Sequence, residues 1–211
     1  ADVVAVYGST EAEPIAEVSR SQISAADRRS MTAGSGLLAG KPVDSIELRI
    51  LPDRWGTSIG PLTTAQFEEQ ALPTKAIGEI VVSGEHVLGG YLDGHGDEET
   101  KIRVSDRIWH RTGDAGYVDE SGRLWLLGRC SAKAHDSSGV LYPFAVECAA
   151  SEHPAVARAA FVVHRHQRVL AIELLAHSPN TPAELRQELG WARLERVVVV
   201  PPCPVSGRST A

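Results

Sequence analysis

Residues 109–129, WHRTGDAGYVDESGRLWLLGR, constrain the fold more than any other part of the 211-residue chain. Two apolar runs containing aromatic residues, 109–118 and 124–127, flank Asp119-Glu120-Ser121-Gly122. That pattern predicts a β-hairpin with a four-residue connection. Asp114 stands at its entrance between Gly113 and Gly116, and Gly128-Arg129 stands at its exit. Glycine lets the backbone turn sharply and lets a ligand come close. An acid and an arginine at opposite ends of one hairpin can grip a polyhydroxyl group such as ribose, the acid accepting from hydroxyls and the guanidinium donating. An Asp beside Gly is also ordinary turn chemistry. The pair alone leaves both accounts open.

Upstream, residues 3–6 read as a short buried strand that runs into Tyr7-Gly8-Ser9-Thr10-Glu11. Starting on a core strand makes residue 1 look like a cut or processed end. Gly8 permits close approach, the Ser9 and Thr10 hydroxyls can bond phosphate or carboxylate oxygens, and Glu11 can hold a hard cation such as Mg2+. The competing account is a strand-ending turn with no ligand. Residues 20–40, rich in Ser, Ala and Gly, read as loop with one helical turn at 25–31. In residues 45–51, Ile46, Leu48 and Ile50 alternate with Glu47 and Arg49, which predicts a half-buried strand. A weak helix at 64–72, a strand at 78–84 closed by glycine at both ends, and short pieces at 87–92 and 101–104 complete the approach to the hairpin. The acidic run 97–99 reads as a solvated loop, and Trp109 and Trp125 as core filling between sheet layers.

After Arg129 the texture changes. Residues 130–139, CSAKAHDSSG, have the composition of a flexible linker. Beyond them a helix is predicted at 143–152 with Phe144 and Cys148 on one face, and strands at 156–164 and 169–175 joined by an exposed turn at 165–168. His164 and His166 share a strand face without a third ligand nearby, which favours solvent-exposed residues over a metal pair. Thr181-Pro182-Ala183-Glu184 reads as a capping box opening a helix to about 189, with a last strand at 196–200. The fold class is therefore α+β: a distorted antiparallel β-barrel or sheet subdomain followed by a small α+β C-terminal domain.

Composition narrows the class of function. With 43% hydrophobic and 23% charged residues the chain is ordinary globular protein. A net charge of -6 supplies no general attraction to nucleic acid or anionic lipid. Cys130, Cys148 and Cys203 lack CxxC spacing, which argues against a disulfide framework or a cysteine zinc site. No run approaches the about 18 apolar residues of a membrane span, and no secretory signal pattern opens the chain. A cytoplasmic location is the expectation.

YGSTE, then GEIVVSG with GGYL, then RTGD, then GR after a hairpin, followed by a small α+β unit, occur in an order that resembles the adenylate-forming superfamily of acyl-CoA synthetases, adenylation domains and luciferases. The resemblance covers nearly the whole chain but corresponds to the last third or so of such an enzyme. It implies that residues 1–128 end the large adenylating domain and that 129–211 form a small mobile cap domain. It implies nucleotide binding (ATP or AMP) by Tyr7 on the adenine, by Gly8, Ser9 and Thr10 at the phosphates, and by Asp114 and Arg129 at the ribose. Glu11 would bind Mg2+, and Thr10 and Glu11 would take part in catalysis. Ser131 falls at the hinge, where Asp or Lys is common in the family, and AKAHDSSGVLYP departs from the family's pattern in the segment that serves the second half-reaction.

Leu141-Tyr142-Pro143, Glu147 and His153-Pro154 look like the olefin-biosynthesis β-lactone synthetases and their fatty-acid–CoA-ligase-like relatives. The implied function is ATP-dependent adenylation of a carboxylic acid, of fatty-acyl type, followed by transfer to coenzyme A. The alternatives are β-lactone closure by an internal hydroxyl, or a degenerate module that binds nucleotide or serves as an interaction surface. The implied partners are a small carboxylic acid, the nucleotide and an upstream N-terminal portion. The family's phosphate loop and terminal catalytic lysine are not found in the 211 residues, so the chain alone is expected not to form acyl-adenylate.

Overall fold

The computed structural model describes residues 2–202. The tail 203–211, which contains Cys203 and the Gly207-Arg208 ending considered as a stand-in for a terminal Gly-Lys, lies outside the described residues. The N-terminal part is one antiparallel sheet of eight strands: β1 (Val4–Ser9), β2 (Ala12–Ser19), β3 (Leu37–Pro42), β4 (Ile46–Leu51), β5 (Gly78–Gly84), β6 (Lys101–Val104), β7 (Arg107–Val118) and β8 (Leu124–Arg129). Its order is β1-β2-β3-β8-β7-β5-β4, with β6 also on β7. No pairing joins the end strands β1 and β4, so the described strands form an open sheet and not a closed barrel.

β5 lies between β7 and β4 and is covered on both faces. Ile80 and Val82 pack into one cluster with Ile15, Ile50 and Leu124, while Val81 faces the other way, toward Phe67, Ile102 and Trp109. A strand covered on both faces reads as a continuous apolar run, and IVV is that run. Phe67 comes from α1 (Thr64–Gln70), whose N-terminus is fixed by a Thr63/Gln66 capping box. Trp109 and Trp125 are both buried, as expected. Arg111 and Glu79 form a wholly buried ion pair at 2.7 Å, and the guanidinium also donates to the Thr57 and Glu99 carbonyls.

Several expectations are corrected. β1 is a strand, but Val3, Val4 and Val6 are 63%, 51% and 51% exposed, because β1 is an edge strand paired with β2 alone. Residues 20–40 contain the expected helical turn but are not otherwise all loop, since they end in β3. A short helix at Ala25–Ser30, capped by Ser24 and Asp27, continues through a wide turn at Met31–Ser35 into β3. The piece at 87–92 forms no strand; in it Leu88 and Tyr91 instead reach toward the β1–β2 turn.

The linker reading of 130–139 also fails. Cys130 and Ala134 are buried, and β9 (Ala134–Asp136) pairs with β10 (Gly139–Leu141). Arg168, expected on an exposed turn, is buried and clamps this small hairpin, donating to both Asp136 carboxylate oxygens at 2.8 and 2.9 Å and to the Gly139 carbonyl. The C-terminal part then packs α2 (Pro143–Ser151) and α3 (Thr181–Glu188) on a three-stranded sheet, β11 (Val156–His164), β12 (Gln167–Leu174) and β13 (Arg196–Val199). The first pair is antiparallel and the second parallel, α3 lying in the crossover. His164 and His166 are exposed. Helix α2 buries Ala145, Val146, Ala149 and Ala150, leaving Phe144 and Cys148 on its outer side. Thr181 does not cap α3: it lies within the helix, and its buried hydroxyl donates to Ser178 Oγ at 2.7 Å. No helix among the described residues is long and apolar enough to cross a membrane.

Candidate functional site

The β1–β2 turn and the β7–β8 hairpin meet at one carboxylate. Asp114 and Arg129 are direct cross-strand partners, and Arg129 Nε lies 3.3 Å from Asp114 Oδ1. Arg129 also donates to the Thr112 carbonyl at 3.1 Å and keeps 65% of its side chain exposed. From β1, the Tyr7 hydroxyl donates to Asp114 Oδ2 at 2.8 Å. Burial, and then the Asp114 charge, push the Tyr7 phenol well above the ordinary tyrosine value, so it stays a donor. The acid and the arginine are thus neighbours, and not jaws on opposite sides of a gap. A carboxylate still has about four acceptor positions, so Asp114 can receive further hydroxyls beside its two protein partners. Thr112 braces it from below: Thr112 Oγ1 accepts from the Asp114 N–H at 3.1 Å and donates to the Ile80 carbonyl at 2.9 Å.

Directly after Tyr7, the chain must turn tightly between β1 and β2. A Cβ on Gly8 would lie 2.9 Å from the Ala12 carbonyl oxygen, which is why glycine stands there. Ser9 Oγ is a buried side-chain oxygen with no hydrogen-bond partner in the described geometry. It lies close enough to the Glu11 carboxyl to help hold that group's pKa down. Thr10 is exposed at the tip. Glu11 Oε1 accepts from the Tyr91 hydroxyl at 2.8 Å, and this bond chiefly holds the Glu11 carboxyl below the usual carboxylate range. The Ser9 hydroxyl and the Glu11 backbone N–H also help to hold that carboxyl low. No group of three His, Cys, Asp or Glu side chains capable of holding a metal occurs among the described residues. A Mg2+ ion here would therefore be held by the single Glu11 carboxylate together with phosphate oxygens and water, which is the ordinary mode for that ion.

Ser131 lies exposed in a single helical turn, Cys130–Ala132, at the end of β8. The residues that support the site without having been singled out in the sequence are Thr112, Tyr91, Lys101 and His110. Thr112 and Tyr91 sat inside quoted motifs, RTGD and GGYL, whereas Lys101 and His110 face each other only through the β6–β7 register. Cavities of about 520, 550 and 570 Å³ occur near Lys41, Glu47 and Tyr117, and none is lined by Tyr7, Thr10, Glu11, Asp114 or Arg129. Within the group Arg129 is exposed, whereas Tyr7 and Asp114 are part-buried.

Comparison with known proteins gives the following. No family model matches the chain. It is 32% identical over 179 residues to an olefin β-lactone synthetase of Xanthomonas campestris pv. campestris, covering 80% of this chain and 31% of that protein. Its namesake in Stenotrophomonas maltophilia is 31% identical over 223 residues, covering 97% of this chain and 39% of that protein. A 2-succinylbenzoate–CoA ligase of Bacillus cereus is 36% identical over 124 residues, 59% of this chain and 22% of that protein. The chain thus spans between about a fifth and two fifths of the length of these relatives. Among solved structures, amide bond synthetase McbA from Marinactinospora thermotolerans is 25% identical with a TM-score of 0.72, covering 96% of this chain and 39% of that one. The anthranilate CoA ligase AuaEII in complex with anthranoyl-AMP shares the fold at 20% identity, with a TM-score of 0.71 over 95% of this chain and 35% of that one.

Proposed function

Because the chain belongs to the adenylate-forming superfamily, we propose that its β1–β2 turn and β7–β8 hairpin form the nucleotide-binding edge of a ligase that activates a carboxylic acid with ATP. The observation that carries this reading is the convergence of Tyr7 and Arg129 on Asp114, from strands far apart in sequence. In this reading Asp114 takes the ribose hydroxyls, with Arg129 approaching the same sugar and Tyr7 lying along the base. Ser9 and Thr10 donate to phosphate oxygens, and Glu11 holds Mg2+ through them. The ion, when bound, would offset negative charge on the phosphates.

The acid's carboxylate would attack the α-phosphate, giving acyl-AMP and pyrophosphate, and a thiol such as coenzyme A would then take the acyl group. A fatty-acyl substrate is the leading choice. The second reading, closure by the substrate's own hydroxyl to a β-lactone, is favoured by one observation: the matches to β-lactone synthetases reach 80% and 97% of the chain. In both readings residues 1–128 belong to a large adenylating domain and 129–211 to a cap that turns about Ser131. No lysine follows Lys133 in the 211 residues. A second surface carrying a phosphate loop and a cation is needed to complete the chemistry, so the 211 residues alone should give no pyrophosphate exchange.

Calorimetry with AMP and a non-hydrolysable acyl-AMP mimic tests the reading. The parent chain should bind both, and Asp114→Ala should lose the signal while keeping its fold. Absence of binding by the parent would favour the degenerate interaction module.

A further inference from the structure

Lys101 is an ammonium in an unusual place. It is 8% exposed, and although the Asp97 and Glu11 charges act on it, no carboxylate reaches ion-pair distance among the described salt bridges. Lysine is almost never buried without a carboxylate partner, because stripping water from the charge is costly. Its Nζ instead donates to the Leu88 carbonyl and to His110 Nδ1 at 3.2 Å, and lies 5.1 Å over the face of the Tyr91 ring. His110 can accept because burial and the lysine charge keep its ring neutral, with a pKa of about 4.

Two of these contacts, to Leu88 and Tyr91, bear on the segment that wraps the Glu11 turn, while His110 belongs to β7. The Leu88 N–H donates to the Glu11 carbonyl at 2.8 Å, while the Tyr91 hydroxyl donates to Glu11 Oε1 at the same distance. Tyr91 is fixed at its backbone as well, its N–H donating to Asp97 Oδ1. The lysine therefore supports both residues through which this segment grips Glu11. We propose that Lys101 is a positioning residue for Glu11: its buried ammonium pins Leu88 and Tyr91, which hold the Glu11 carboxylate in place for a cation carried by the nucleotide phosphates. This inference rests on the nucleotide reading and adds to it a residue on another strand that touches no ligand.

The test uses the full 211-residue chain with Lys101→Met, Tyr91→Phe and the double variant. Carbon NMR of the Tyr91 phenol and the Glu11 carboxyl reports their hydrogen bond without any ligand, and calorimetry gives ATP affinity with and without Mg2+. In Lys101→Met both resonances should move toward those of solvent-exposed side chains. The gain in ATP affinity conferred by Mg2+ should fall about tenfold or more, the usual cost of losing an outer-shell partner. Metal-free AMP affinity, set at Asp114, should change less than about twofold, a split that general loosening of the fold would not produce. Tyr91→Phe should reproduce the loss, and the double variant should be no worse than either single change, since one chain of contacts is being cut. A folded Lys101→Met chain with unshifted resonances and an intact Mg2+ gain would overturn the proposal, as would additive losses in the double variant. If Lys101→Met does not fold, Tyr91→Phe decides, and an unchanged Mg2+ gain in it overturns the proposal. A parent chain that binds no nucleotide overturns the functional reading and this inference with it, whereas a binding parent that Lys101→Met leaves unchanged overturns this inference alone.

Discussion

His110 is the residue whose burial is most readily read out in solution. It is 3% exposed, and its pKa is held at about 4 first by desolvation and then by the Lys101 charge. The unfolded chain therefore takes up a proton before the folded one as pH falls, so stability is complete above about pH 6.5 and is lost on the way to pH 4. A difference of this size corresponds to up to about 3 kcal/mol. Urea unfolding at pH 7 and at pH 4.5 should show the parent losing stability over that interval, with a smaller loss in His110→Asn; equal losses in the two would sink the assignment. Single residues were unevenly legible. Asp114 and Arg129 announce themselves by their glycine neighbours and their places on a hairpin. Nothing local marks Lys101 or His110, because what makes them unusual is a cross-strand partner nine residues away and the layer of protein above them.

The elements divide along the same line. β4, β5, β7 and β8 are legible because period-two alternation or an apolar run survives in each. β3 is not, since its function in the sheet requires glycine where a strand signal requires side chains. A Cβ at Gly40 would sit 1.9 Å from the Glu17 carbonyl oxygen and one at Gly36 would sit 2.2 Å from that of Leu126, and both residues have φ near +90°. Gly40→Ala should therefore destabilise the chain by more than about 1 kcal/mol, whereas Gly122→Ala, at the open turn of the β7–β8 hairpin, meets no neighbour and suffers only its unfavourable φ. Comparing the two thermal midpoints measures the cost of close approach separately from that of backbone conformation; equal midpoints would refute the packing argument. The β9–β10 hairpin was hidden for another reason. Its small polar residues have the composition of a linker, and it is ordered by Arg168, which follows Asp136 by 32 residues.

At the scale of the molecule, one carboxylate ties the large sheet to the segment after β8. Asp53 Oδ2 receives Lys133 Nζ at 2.6 Å and the Tyr142 hydroxyl at 2.7 Å, beside the buried Cys130. The proposed turning about Ser131 must break these bonds, since Lys133 and Tyr142 both follow it. Asp53→Ala leaves two half-buried or buried donors without their acceptor, a cost of about 1–3 kcal/mol. Hydrogen exchange should accelerate across β9, β10 and the start of α2 and leave β5 protected; uniform change, or none, would argue against a local tie. By itself the sequence determined the order of the chemistry: a hydroxyl-rich turn ending in Glu11, an acid and an arginine on one hairpin, and a change of texture beyond it. Those features are carried by residue type and spacing, which a linear chain displays in full. The tertiary structure alone decided that Tyr7 reaches Asp114, that Lys101 stands under Tyr91 and that Arg168 orders the segment read as linker, because each depends on a contact or a burial created when strands distant in sequence become neighbours in a sheet.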